Sequence, residues 1–176
     1  MRKAFIIIFA HYLFSSCSEN QVHGFGDSII AKGQMPDITK DADGNLHLVY
    51  GIDDSVMYCI STNEGKSFSL PSLIGVIPHL AASHTRGPQI ASTNKGVLVI
   101  ACNSYGDIFS YNKIGADWRK GVKINDMDTT AKENLIALSA NGTIAFAVWL
   151  DLRDNKKKKY LAPGQPTEVS AGPKTV

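Results

Sequence analysis

Asp53-Asp54, Arg86 and the tripeptide Asp151-Leu152-Arg153 are the residues of this chain whose types could do chemistry. A carboxylate can serve as general acid or base, and the planar guanidinium of arginine binds another carboxylate through two parallel hydrogen bonds. Such a set suits an anionic substrate. His84 stands two residues before Arg86, and Asp107 is the next acid along the chain. Each residue also has a plainer reading. Asp53-Asp54 is an ordinary turn dipeptide, Arg86 can bridge a loop through backbone carbonyls, and Asp151 with Arg153 can form an exposed ion pair of little energetic weight. Metal chemistry finds no support: His23, His47, His79 and His84 have no C-x-x-C partner and no H-E-x-x-H spacing, so neither a metal nor another cofactor is expected.

The rest of the sequence says what must position these groups. The net charge is +2 from 18 basic and 16 acidic residues, scattered without a basic face, which argues against nucleic acid as a partner. Lys156 to Lys159, beside Asp154 and Asn155, reads as a solvated hairpin tip. Residues 1–17 read as a leader: Arg2 and Lys3, an apolar run from Ala4 to Phe14, then Ser15-Ser16 before Cys17. That run falls well short of the roughly 20 residues that span a bilayer. Phe14-Ser15-Ser16-Cys17 resembles a bacterial lipobox, with Phe where Leu is usual, which implies acylation of Cys17 and a lipid anchor at the cell envelope. The alternative is a cleaved leader with an incidental cysteine. Cys59 and Cys102 each sit inside an apolar run and are expected to be buried thiols rather than a disulfide.

Internal similarity sets the architecture. Pro36 to Tyr50, Pro88 to Ala101 and Asn134 to Trp149 each read strand, polar turn with glycine, strand. Asp43-Gly44, Lys95-Gly96 and Asn141-Gly142 supply residues that tolerate positive φ in tight hairpins. The glycines are 52 and 46 positions apart, a spacing that fits one four-stranded propeller blade of about 40 to 50 residues. Clean 3.6-residue apolar spacing is absent beyond the leader, so the chain is expected to be all-β.

After the first hairpin, the strand Val56 to Ile60 leads into Ser61-Thr62-Asn63-Glu64-Gly65-Lys66-Ser67-Phe68. This octet resembles the Asp box of the sialidase, or BNR-repeat, superfamily, with Asn63 for Asp, Ser67 for Thr and Phe68 for Trp. A short polar side chain at 63 can bond nearby N–H groups, Gly65 can take positive φ, and Phe68 is expected to plug the gap between layers. Tyr111 to Trp118 is a weaker copy that keeps Gly115 and Trp118 at the same offset.

The resemblance covers about residues 34–160 and implies a partial β-propeller, two to three four-stranded blades of a six-bladed, sialidase-like ring. Residues 18–33 are then a linker or an N-terminal strand, and 161–176 an atypical tail. In the family, arginines clamp the substrate carboxylate, an aspartate is the acid or base, and a tyrosine is the nucleophile, an exception to the usual carboxylate pair. By position the resemblance offers Arg86, in Arg86-Gly87-Pro88, with Asp53, Asp54, Asp151 and Arg153 on one face. The first family arginine is replaced by Gln34 in Gln34-Met35-Pro36. Tyr50, Tyr105 and Trp149 are expected to pack between layers rather than to stack on sugar. Only Arg86, Arg119 and Arg153 follow the leader, and Arg119 belongs to the opposite face. The expected function is thus a glycan-directed propeller at the cell envelope, resembling an exo-α-sialidase but inactive as this chain. A non-catalytic propeller lipoprotein that binds glycan or protein is the alternative.

Overall fold

The computed structural model describes residues 29–132 and 134–154, and among these it is all-β, without a helix. The leader with Cys17, the lysines 156–159 and the tail 161–176 lie outside the described residues. Three antiparallel sheets follow one another. The first is a meander of β1 (Gln34–Lys40), β2 (Leu46–Ile52), β3 (Ser55–Ser61) and β4 (Ser72–Val76). The second holds β5 (Gln89–Thr93), β6 (Gly96–Cys102), β7 (Ile108–Ile114), β8 (Asp117–Trp118) and β9 (Val122–Lys123), with both β8 and β9 pairing on β7. The third is the hairpin of β10 (Ile136–Asn141) and β11 (Ile144–Trp149). None of the sheets is closed.

Each of the three repeated segments forms one hairpin, β1–β2, β5–β6 and β10–β11. Gly44, Gly96 and Gly142 take φ of 88°, 140° and 58° at their turns, conformations closed to most side chains. Gly96 is the most demanding of the three, because a Cβ there would stand 2.0 Å from the backbone oxygen of Lys113.

Strand side chains alternate between faces, and here the alternation decides the packing. Val49, Val56, Tyr58 and Ile74 on one face of the first sheet meet Ile90, Val97, Val99, Ala101 and Tyr111 of the second in one core. The opposite face of the second sheet carries Ile100, Cys102 and Ile108, which meet Ala131, Ile136, Leu138, Ala147 and Trp149 in another. The second sheet is therefore covered on both faces. Cys59 and Cys102 are buried free thiols.

Candidate functional site

Successive antiparallel strands bring the β2–β3, β4–β5, β6–β7 and β9–β10 connections, and the stretch after β11, to one end of the sheets. Hydrogen bonds tie these loops together. His79 N–H donates to Asp54 Oδ1 at 2.8 Å, Ser104 N–H to His79 O at 2.8 Å, Ala131 N–H to Gly106 O at 3.1 Å, and Leu152 N–H to Thr130 O at 2.9 Å. All five sequence candidates belong to loops of this end.

Their individual environments differ. Asp53 and Asp54 form the two-residue turn between Ile52 and Ser55, with Asp53 at φ 51°. Asp54 also receives Ile77 N–H on its backbone oxygen at 2.8 Å, so its backbone oxygen and its Oδ1 together hold the exit from β4. It is a clamp on the β4–β5 loop. His79, with φ 59°, is held edge-on against Tyr105 at a centroid distance of 4.9 Å.

Arg86 closes a small turn in which Ser83 and Arg86 exchange backbone hydrogen bonds of 3.0 Å, with His84 at φ 58°. Its half-buried side chain is engaged rather than free. Next to it, Gly87 lies so close to Met35 that a Cβ would stand 2.4 Å from the Met35 Cβ. The segments Gln34-Met35-Pro36 and Arg86-Gly87-Pro88, matched by sequence, are thus packed against each other. Asp37 reinforces the contact, accepting Ile90 N–H on Oδ2 at 2.8 Å.

Arg153 is the best-defined group of this end. Its Nε and Nη2 donate to the two oxygens of Asp151 at 3.0 and 2.8 Å, and its Nη1 and Nη2 donate to Asp126 at 3.0 and 2.5 Å. The hydrogen bonds from Arg153 hold the carboxyl groups of Asp151 and Asp126 below the ordinary carboxylate range, and they raise the guanidinium above its own. One guanidinium here faces two carboxylates. Beside it Lys123 pairs with Asp107 at 3.1 Å and with Asp128. Backbone donation from Thr129, outweighing burial, and the Lys123 ammonium hold the Asp107 carboxyl low. Buried Asn125 fixes the surrounding loop, accepting Ile108 N–H and donating to the oxygens of Gly106 and Met127.

The Asp-box segment lies at the opposite end, between β3 and β4. Buried Ser61 accepts Gly65 N–H at 2.9 Å, and Asn63 Oδ1 accepts Ser67 N–H at 2.9 Å while its Nδ2 donates to Ser67 Oγ at 2.8 Å. Gly65 has φ 85°. Phe68 is half-buried and is not among the side chains packed in either of the two cores. In the weaker copy Trp118 does pack, edge-on to Tyr58 at 5.1 Å, but there the chain makes a tight β7–β8 hairpin instead of a box. Arg119 follows it, its N–H donating to Asn112 O at 2.7 Å, away from the candidate end.

Two features escaped the sequence reading. Asp126 was invisible as a partner because 27 residues separate it from Arg153. Asp41, His47 and Tyr58 form a continuous chain: His47 Nε2 donates to Asp41 Oδ2 at 3.0 Å, and Tyr58 O–H donates to His47 Nδ1 at 2.7 Å, the tautomer following from the acceptor-only carboxylate. Asp41 and His47 border a cleft of about 410 Å³ between the first two sheets, lined also by Asn45, Thr93, Asn94 and Lys113. The signal was the parity of His47, which falls on the same strand face as Val49. No group of three or more metal-ligating side chains occurs among the described residues. No protein-family model and no curated protein matches the chain.

Proposed function

We propose that the chain is part of a sialidase-like propeller that recognises glycan at the cell envelope without cleaving it. The observation that carries this reading is the Arg153 fork, filled by the chain's own Asp126 and Asp151. A carboxylate clamp needs a guanidinium whose donors are open to the substrate, and Arg86 is engaged as well. Three consecutive hairpin-led sheets, with β5 beside both β1 and β10, support the propeller. So does the Asp-box turn between β3 and β4.

With Asp107, Asp126, Asp128 and Asp151 set against Lys123 and Arg153, the loop end carries an excess of acid. A neutral glycan suits it better than a carboxylated sugar. Export by the leader and acylation at Cys17 would place this end outside the cytoplasm on a lipid anchor. The test is a fluorogenic sialoside assay beside calorimetric titration with neutral and sialylated oligosaccharides. Binding of the neutral set with no turnover is expected. Sialoside turnover that drops at least tenfold in Arg86→Ala overturns the reading.

A further inference from the structure

An asparagine loses its amide without an enzyme when the next residue is small, when that residue's backbone nitrogen is free to attack, and when the side chain is not held elsewhere. Asn141 meets all three conditions. It is the only asparagine of the sequence that precedes a glycine. It closes the β10–β11 hairpin opposite Ile144, so Gly142 and Thr143 form a two-residue loop outside the ladder. Residues 141–144 are exposed, and nothing lies within 4 Å of where a Cβ on Gly142 would stand. The Asn141 amide makes no hydrogen bond among the described residues. By contrast Asn45, Asn63, Asn125 and Asn134 each donate Nδ2 to a fixed acceptor, and a leucine or an acid follows each of them.

The same hairpin tip is a joint of the fold. Asn94 N–H, in the β5–β6 turn, donates to Gly142 O at 2.8 Å and ties the second sheet to the third at their turns. The geometry points to Asn141 as a site of spontaneous deamidation whose product loosens this tie.

The chemistry needs only water. The Gly142 nitrogen attacks Cγ of Asn141, an N–Cγ bond replaces Cγ–Nδ2, and the amide nitrogen leaves as ammonia with the proton that Gly142 gives up. Water then opens the five-membered succinimide at either carbonyl. Opening at Cγ gives aspartate. Opening at the α-carbonyl gives isoaspartate, whose main chain runs through Cβ and Cγ and is one carbon longer. That extra carbon precedes Gly142, so residue 141 no longer sits opposite Ile144 and the Gly142 oxygen is drawn away from Asn94. The inference does not depend on the glycan reading.

Ageing the full chain at mildly alkaline pH, followed by ion exchange and peptide mass mapping, tests it. An acidic form should accumulate with aspartate and isoaspartate at 141. The native reaction should run within about a hundredfold of that in urea, because an uncovered tip opens locally. Gly142→Ala should slow it at least tenfold, its methyl group shielding the nitrogen, and Asn141→Gln should abolish the acidic form. Far-UV circular dichroism checks both folds, and Asn141→Gln carries the comparison alone should the alanine variant unfold. In the isolated isoaspartate form, amide exchange at Asn94 should accelerate at least tenfold. A native reaction slower than that range overturns the inference, as does an acidic form that persists in Asn141→Gln or a folded Gly142→Ala that reacts as fast as wild type. Unchanged protection of Asn94 in the isoaspartate form overturns the loosening.

Discussion

The Tyr58 hydroxyl lies 2.7 Å from Nδ1 of His47, and it is the inner end of a polar chain that enters the core from Asp41 at the surface. Every member is satisfied, which is what permits a histidine and a tyrosine to sit between two apolar sheets. Burial, and after it the Asp41 charge, pushes the Tyr58 phenol up to about 12, so it stays a donor throughout the physiological range.

Tyr58→Phe leaves the buried imidazole nitrogen of His47 without its donor while keeping the ring on Trp118. A loss of about 1–3 kcal/mol in urea unfolding is expected. A change below about 0.5 kcal/mol would show that the chain contributes nothing to stability.

Asp41 gives a pH signature. Burial raises its pKa, but donation from the Asn45 side chain, the His47 ring and the Asn45 N–H outweighs it and holds the carboxyl at about 2, against 3.8 unfolded. A depressed carboxylate stabilises the fold above the unfolded value, and that contribution, about 2 kcal/mol, fades as pH falls from about 4 through 2. Asp41→Asn should flatten the acid limb of the stability profile in that window. A variant with the wild-type acid limb would refute the assignment.

Arg153→Ala frees Asp126 and Asp151 and unties the β9–β10 loop from the stretch after β11. The pair is solvent-facing, so the global melting temperature should move by no more than a few degrees. Amide exchange at Leu152, which bonds to Thr130 O, should accelerate at least tenfold. Unchanged protection there would mean that the ion pairs do not hold the loop.

Gly96→Ala puts a methyl group where φ is 140° and the Lys113 carbonyl oxygen is already in the way. The β5–β6 turn and the neighbouring end of β7 must both shift, so destabilisation above about 1 kcal/mol is expected from thermal unfolding. Gly115→Ala, where nothing lies within 4 Å, is the milder control.

Burial, with the Asp107 charge a lesser cause, pushes the Cys102 thiol up to about 12, and burial raises Cys59 as well. Neither should react with iodoacetamide at pH 8 until the protein unfolds. Rapid native labelling of either, mapped by peptide mass, would contradict the packing.

Local signals made the hairpins legible. Asp43-Gly44, Lys95-Gly96 and Asn141-Gly142 state their turns in two letters each, and the Ser61 to Ser67 bonding pattern is confined to seven residues. What joins distant residues was hidden. Nothing in Asp126 announces Arg153, and the role of Asp54 depends on where the β4–β5 loop returns. Phe68 shows the converse limit: a motif position implies an aromatic, but what the ring meets depends on the path of the loop 62–71, and here it stays half-buried. The position fixed the residue type and left its neighbours open.

The bond from Ile90 N–H to Asp37 Oδ2 spans 53 positions, whereas most ladder pairs join strands adjacent in sequence. Meanders close small loops at little entropic cost, so each sheet can nucleate by itself and dock afterwards. The carboxylate of Asp37 then acts as a latch on a late docking step: losing it should hasten escape from the native state and leave the refolding rate nearly untouched.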